Sequence, residues 1–439
     1  MDHSEKIEKI DQDDIVRARN VLLASGRRTP WEEVDAYRVL ARVGPASYLP
    51  RLAVALRRLS HDPAYGERHE DRLALCEEAV AAARAIDPAE PTRADYLFEA
   101  LDACQREQYA LGRRAEGLAM RAEMLAIGRA QAARAGTTAI KGLSGWAAGL
   151  SEEGRHAEAA DALTELVAAL LPDGPVCGGL AWSLLEWIAA LDGAGRADEA
   201  LAAFQTLVDM EADEARNDRG SMACHLHSLI GYARMLDSHD RAERAAAVRQ
   251  EALALLAELA STGECRTWSG YQRSFWGALL SLSGADGGRP SPGTPHPPSG
   301  TTPQDWSPDA RRRYVDSLGT LREEVDALAP RAAEDPDRHL AELVRLHRAL
   351  TVRSAVWGEF RGCFFEERVR PLFDDGVGLA RRLCERHPAG GSRTLAEALI
   401  DRSAFRVAVG EFGSALDDFR RALDHLVPQQ QTRAPGETG

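Results

Sequence analysis

The sequence predicts an all-α protein in which helical hairpins stack in chain order as an α-solenoid, followed by a second helical segment. Three observations predict this fold class. Ala, Leu, Glu and Arg, which favour helices, fill nearly every segment, and no stretch alternates apolar and polar residues as a strand would. A Gly-containing turn recurs at a near-constant spacing. Apolar residues at helical spacing stand on both sides of each turn.

The hairpin pattern is clearest over residues 181–208, where a turn at Gly195 separates two helical patterns and Phe204 lies on the second. Turns of the same kind begin at Gly112 and Gly154, so the three turns are separated by 42 and 41 residues. A constant period of this length is typical of stacked helical repeats, because each hairpin presents the same apolar faces to its neighbours.

These hairpins resemble tetratricopeptide (TPR) repeats. Gly195, the small Ala200 five residues later and Phe204 four residues after that match the TPR turn and second helix. The period exceeds the usual ~34 residues of a TPR and resembles that of long-repeat actinobacterial proteins. Only three lysines against many arginines also indicate a bacterial source. The resemblance implies a right-handed superhelix, with less regular copies over 48–86 and 225–259.

Composition shifts divide the chain into five predicted parts. Residues 1–45 form a helical pair that caps the array, in which Thr29, Pro30 and Glu32 are typical of a helix start. The remaining parts are a TPR-like array over 46–283, a Pro/Gly-rich linker over 284–305, a helical, partly TPR-like segment over 306–428, and a disordered tail over 429–439.

Proline and glycine positions predict the elements of the C-terminal segment. Pro308 and Pro336 each stand at the start of a helix. Pro371 is expected to break or restart the next helix, and the glycines at 390–391 are expected to separate it from a last hairpin over 394–427.

Charge and cysteine usage limit the function classes. A formal charge of −14 argues against nucleic-acid binding, which needs a positive surface. The charged N-terminus predicts no signal peptide, and no uncharged run approaches the ~18 residues of a membrane span. Seven cysteines without CxxC spacing favour a reducing compartment. We therefore predict a cytoplasmic protein with no membrane or nucleic-acid partner.

The sequence predicts no enzyme, no cofactor and no metal site. Cys224, His225 and His227 lie close in sequence, but on a helix the two histidines point about 200° apart and cannot share an ion. His339 and His347 lack the i, i+4 spacing of a helical zinc site. No phosphate-binding loop, dinucleotide fingerprint or nucleophile elbow is present in the sequence.

The TPR resemblance implies where a partner would bind. In that family the first helix of each repeat lines a concave groove, and four of its positions face the ligand. Placing each turn glycine at the fifteenth position of its repeat gives these predicted partner-binding residues: Glu99, Asp102, Arg106, Tyr109, Lys141, Ser144, Trp182, Leu185, Asp192, His227 and Arg234.

We therefore predict a non-catalytic scaffold or adaptor that binds a protein or peptide of mixed character in its groove, anchored by an aromatic contact with Trp182. An alternative is a peptide- or ligand-responsive TPR regulator, although the roughly 45 residues before the array do not resemble a DNA-binding domain. A third alternative is an enzyme whose site lies within 306–428, and it would need converging polar groups in a deep pocket there.

Overall fold

The computed structural model describes residues 11–24, 28–171, 179–217, 221–264, 269–283, 297–361 and 365–426. These residues form α-helices and one short 3-10 helix, Pro63–Tyr65, and no β-strand occurs among them. The all-α prediction is confirmed. In chain order the helices are α1 Gln12–Leu23, α2 Pro30–Val43, α3 Pro45–Ser60, α4 His69–Arg84, α5 Arg93–Ala110, α6 Arg114–Ala135, α7 Leu143–Glu152, α8 His156–Leu170, α9 Gly179–Gly193, α10 Ala197–Arg216, α11 Met222–Ser238, α12 Ala242–Thr262, α13 Ser269–Leu282, α14 Pro308–Glu334, α15 Pro336–Arg361, α16 Phe365–Arg386, α17 Pro388–Ala408 and α18 Phe412–Leu426.

Neighbouring helices pack against each other in sequence order. This holds from α1 to α6, from α8 to α12 and from α15 to α18. Alternate helices also meet, since α3 contacts α5 and α11 contacts α13. The described part of the chain is therefore repeat-like, with most helices packed against their neighbours in sequence.

The described residues form two compact units, and the division falls within α7. Unit 1 contains residues up to 149 together with 307–309, and unit 2 contains 150–306 and 310 onward. Within the predicted linker, residues 284–296 lie outside the described residues, as does the tail 429–439. The domain boundaries read from the sequence stay a prediction.

The N-terminal pair begins unit 1 as the capping residues predict. Thr29 Oγ1 accepts a hydrogen bond from the backbone N–H of Glu32, and Glu32 Oε2 accepts one from the backbone N–H of Thr29 at 2.9 Å. This reciprocal capping box satisfies two backbone donors that a helix start leaves without partners. Helices α1 and α2 then pack through a small cluster built on Ala18, Ala36 and Leu40.

The recurring turn has the same backbone geometry in five copies. The second residue after the helix has a positive φ of 59–82°. The next residue donates its N–H to the carbonyl five positions earlier, at 2.8–2.9 Å. This is the Schellman motif, which ends a helix with one left-handed residue. The left-handed positions are Gly112, Gly154, Gly195, Asp240 and Gly410.

A small residue follows each of these turns and packs in the core. It lies five positions after the left-handed residue, as the fourth residue of the next helix. At Gly117 a Cβ would lie 2.7 Å from the ring of Tyr109, which shows how little room the position has. The other members of the set are Ala159, Ala200, Ala245 and Ala415, and each is fully buried.

Replacing Gly195 by alanine is expected to lower the free energy of unfolding by about 1–2 kcal/mol, because an L-residue is strained at its φ of +75°. Urea unfolding of the full chain measures the change. Gly319 is the matched control, since it lies inside α14 with nothing within 4 Å of an added Cβ. Gly319→Ala is expected to stabilise by up to about 1 kcal/mol. Equal effects of the two substitutions would contradict the turn geometry.

Two sequence predictions for the C-terminal segment are wrong. Pro371 does not break a helix but lies within α16, whose buried stripe, including Val369, Phe373 and Val377, holds the helix together across it. Tertiary packing outweighs the local cost of the proline here. The glycines at 390–391 lie in the first turn of α17, not in a loop. A Cβ on Gly391 would be 2.5 Å from Cys384 Cα, so this glycine permits a close approach of two chain segments.

Candidate partner-binding surface

Four predicted residues of unit 1 lie on a charged, accessible surface. Glu99, Asp102 and Arg106 are spaced i, i+3 and i+7 on α5, which places them on one face of that helix. Lys141 directly precedes α7, and its ammonium group lies 3.2 Å from Glu99 Oε1. The side chains of Glu99 and Lys141 are 46% and 45% exposed. The fold therefore brings α5 and the residues before α7 together, although they are far apart in sequence.

The repeat period explains this ladder of charges. Glu99 and Lys141 are separated by 42 residues, and Arg57 on α3 lies the same distance before Glu99 and contacts it at 3.7 Å. Equivalent positions of successive repeats thus lie side by side, with charges that alternate in sign. Lys141 Nζ also lies 4.0 Å from the centroid of the Phe98 ring, a cation–π contact that holds the ammonium group in place.

The same face continues along α5 and α7. Arg106 Nη2 donates to Asp102 Oδ2 at 2.7 Å, and the Arg106 side chain is 59% exposed. Ser144 is exposed near the start of α7. We call this surface the charged face of unit 1, and its members are Arg57, Glu99, Asp102, Arg106, Lys141 and Ser144. Arg57 was not among the sequence predictions, although the 42-residue period used to align the other copies leads to it.

Tyr109, the last predicted residue on α5, is not part of this surface. Its side chain is 0% exposed, and its ring carries the guanidinium groups of Arg114 and Arg121 at 5.2 and 4.6 Å from the centroid. The end of α5 turns into α6 at this point, so the ring packs in the junction. A residue buried in this way cannot contact a partner without local unfolding.

The predicted positions on α9 are covered by other parts of unit 2. Leu185 is fully buried, and the chain at Gly300 lies so close that a Cβ there would be 2.6 Å from the Leu185 carbonyl oxygen. Trp182 is half-buried and packs edge-on against Phe275 of α13, with centroids 6.1 Å apart. Asp192 Oδ1 lies 2.8 Å from Nε2 of His239, and the two side chains are only 23% and 19% exposed.

The predicted positions on α11 are covered as well. His227 is 2% exposed beside Trp276 of α13, and burial followed by the charge of Arg234 lowers the pKa of the ring to about 3. The imidazole is therefore neutral at physiological pH. Arg234 pairs with Asp401 of α17. The face of α9 and α11 that the sequence assigned to a ligand is occupied by the chain's own later helices and by residues 297–306.

Asp401 is the centre of the pairing on this face. It is 3% exposed, accepts a hydrogen bond from Arg348 Nε at 2.8 Å, and also accepts one from Arg234. Burial alone would raise the pKa of this carboxyl, but the two guanidinium groups outweigh it and hold the pKa below its ordinary value of 3.8. In the sequence, Asp401 is an acidic residue within the apolar pattern of α17. A carboxylate that is buried requires a positively charged partner, and this pattern could have indicated the pairing.

This pKa shift predicts a dependence of stability on pH. An acid with a lowered folded-state pKa stabilises the fold above its ordinary pKa, here 3.8, and the stabilisation disappears as the pH falls through the lowered value. We expect the gap in unfolding free energy between the wild type and Asp401→Asn to be constant from pH 5 to 7 and to shrink below about pH 4. Urea unfolding across this range measures it, and a gap that widens on acidification would contradict the pairing.

Among the described residues, no group of three or more His, Cys, Asp or Glu side chains is arranged to hold a metal ion. In the same part of the chain, no helix is both long enough and apolar enough to cross a bilayer. The chemistry that the charged face offers is reversible ion pairing and hydrogen bonding.

No protein-family model matches the sequence, and no curated protein matches it either.

Proposed function

We propose that this protein is a non-catalytic, TPR-like scaffold or adaptor of the bacterial cytoplasm that binds a protein or peptide on the charged face of unit 1. One observation carries the proposal. Of the positions aligned as ligand-facing by the repeat, those on α5 are charged and at least partly exposed, apart from Tyr109, and Lys141 and Ser144 near the start of α7 are exposed. Those on α9 and α11 are covered or paired within unit 2.

The repeated turns support the TPR-like part of the proposal. Five turns share one backbone geometry and one buried small residue. In a TPR-like array such identical hairpins would stack with a constant rotation, and a right-handed superhelix would follow. Under this proposal α3, α5 and α7 are the inner helices of successive repeats, in keeping with the contact between α3 and α5.

The ion pairs of the charged face are weak enough to be replaced by ion pairs with a bound protein or peptide. Arg57, Glu99 and Lys141 are each about one-third to one-half exposed. Pairs of this kind contribute only about 0–1 kcal/mol each to stability. A partner that offers its own carboxylate to Lys141 and its own cation to Glu99 can therefore replace these intramolecular pairs at little energetic cost. The expected ligand is a peptide or helix that carries both signs of charge.

Reversing the central charge tests the proposal. Glu99→Lys places three cations together at Arg57, Lys141 and residue 99, and we expect it to reduce partner capture by about tenfold or more. The full chain is used as bait in a lysate of the source organism, and the captured proteins are quantified by mass spectrometry. Glu116→Lys on α6 is the matched control, since Glu116 is exposed and lies outside the charged face. Its partners should be unchanged.

The control also separates loss of binding from loss of folding. Glu99→Lys breaks two partly exposed ion pairs, and Glu116→Lys reverses a charge in the first turn of α6, so we expect each variant to lose no more than about 2 kcal/mol of unfolding free energy and to remain folded. Capture of the same partners in the same amounts by both variants would show that the charged face is not the binding surface. A wild-type bait that enriches nothing over a bait-free column would contradict the scaffold function itself.

A further inference from the structure

Residues 297–306 pack as a non-helical segment with two turns against α9 and α13 of unit 2, and we call them the strap. Pro297, Pro298, Thr301, Pro303 and Trp306 are buried, although four of these five residues are Pro or Thr, which are mostly exposed in proteins. The strap is not helical over 297–306. A Pro- and Gly-containing segment held in this way resembles a bound peptide more than a connection.

Gly300 brings the strap close to both α13 and α9. Its backbone N–H donates to Ser281 Oγ of α13 at 3.0 Å. On the other side, a Cβ would lie 2.6 Å from the backbone oxygen of Leu185 and 3.3 Å from Ala189 Cβ, both on α9. Gly300 also has a φ of +74°, which L side chains rarely adopt. A glycine is therefore required where the strap passes between the two helices.

Trp306 anchors the end of the strap. Its indole Nε1 donates to Thr301 Oγ1 at 2.8 Å, and that hydroxyl in turn donates to the carbonyl of Pro298 at 2.8 Å. The Trp306 ring packs edge-on against Tyr314, with centroids 4.7 Å apart. An aromatic anchor combined with a glycine at a close backbone approach is a combination by which a cleft can recognise a peptide segment.

The seat of the strap also contains a carboxyl group that resists ionisation. Burial, and then the charge of Asp305 on the strap, raise the pKa of Glu186 on α9 to about 8, so this carboxyl is mostly protonated at neutral pH. Ionisation of Glu186 above about pH 8 would place a second negative charge near Asp305. Under those conditions a segment with a neutral residue in the place of Asp305 would bind the same seat better than the strap does.

We propose that the strap is an intramolecular ligand, and that the face it covers, formed by α9, α13 and Tyr314 of α14, is a second binding site, specific for a non-helical, turn-containing Pro/Gly segment that ends in tryptophan. This site lies in unit 2 and does not depend on the function proposed for the charged face of unit 1. Because the strap is part of the same chain, its effective concentration is in the millimolar range and it excludes a free peptide of equal affinity. A partner segment of this chemistry binds when the strap is weakened or outcompeted.

A labelled synthetic peptide with the sequence of residues 297–306, PPSGTTPQDW, tests the proposal by fluorescence anisotropy. The full-length variant Gly300→Ala weakens only the strap, because the peptide keeps its glycine. We expect this variant to bind the peptide about tenfold or more tightly than the wild type. A peptide with alanine in place of that glycine should not bind. A peptide with asparagine in place of the aspartate should bind more tightly than the parent above about pH 8, where Glu186 is ionised, and with similar affinity at pH 7.

A second variant keeps the test decisive if Gly300→Ala does not fold. Thr301→Val removes the hydroxyl that links Trp306 to Pro298 within the strap and leaves α9 and α13 unchanged. We expect it also to bind the peptide more tightly than the wild type. Circular dichroism and thermal melting establish that each variant is folded. A folded variant that binds the peptide no better than the wild type, or that binds the alanine peptide equally well, would overturn the proposal.

Discussion

Asp401→Ala is expected to lower the free energy of unfolding of unit 2 by about 3 kcal/mol, the largest effect of a single side chain that the structure implies. The substitution leaves Arg234 and Arg348 facing each other without the carboxylate that both contact. Breaking a buried ion pair typically costs 3–5 kcal/mol. We place the effect at the lower end because the two arginine side chains are 19% and 25% exposed and retain some contact with water.

Urea unfolding of the full chain, followed by circular dichroism, measures this loss. Glu342→Ala is the matched control on α15, since Glu342 pairs with Arg345 at the surface and both side chains are about half exposed. That substitution should change the free energy of unfolding by less than about 0.5 kcal/mol. Similar losses in the two variants would mean that α11, α15 and α17 do not meet at Asp401.

Gly128→Ala is expected to destabilise unit 1 by about 3 kcal/mol and to displace the charged face. A Cβ on Gly128 would lie 1.9 Å from the carbonyl oxygen of Lys141 and 2.9 Å from its carbonyl carbon. Backbone atoms cannot turn away as a flexible side chain can, so α6 and the residues before α7 must separate. Overpacking typically costs 1–3 kcal/mol, and a contact this short belongs at the upper end.

Gly145→Ala is the control for this prediction. Gly145 lies inside α7 with nothing within 4 Å of an added Cβ, so alanine should stabilise the helix by up to about 1 kcal/mol. The same change from glycine to alanine is therefore expected to lower the free energy of unfolding at Gly128 and to raise it at Gly145. Gly128→Ala should also reduce partner capture, because it moves Lys141 away from Glu99. A Gly128→Ala protein as stable as the wild type would contradict the packing of α6.

Features that depend on local chemistry could be predicted from the sequence. The capping residues Thr29 and Glu32 determine the start of α2, and the positive-φ position of each turn selects glycine at Gly112, Gly154 and Gly195. The period of these turns then places Glu99 and Lys141 side by side. Each of these inferences needs only residues within one or two hairpins, which is why it survives in the folded chain.

Features that depend on distant packing could not be predicted in this way. No local rule indicates that α16 continues through Pro371, because the packing of its buried stripe against α15 and α17 holds the helix together. The pairing of Arg234 with Asp401 joins residues 167 positions apart. A residue that faces an open groove and a residue that is covered by later segments of the same chain have the same sequence pattern. For this reason the sequence assigned Leu185 and His227 to a ligand, although both are buried.

Site-specific photo-crosslinking tests the central proposal most directly. A photoreactive amino acid is placed at Arg106 or Ser144 on the charged face, or at Glu116 on α6, and all three positions are exposed. We expect crosslinks to a partner protein from positions 106 and 144, their loss when Glu99→Lys is added, and none from position 116. Equal crosslinking from position 116, or crosslinks that Glu99→Lys leaves unchanged, would contradict partner binding by the charged face of unit 1.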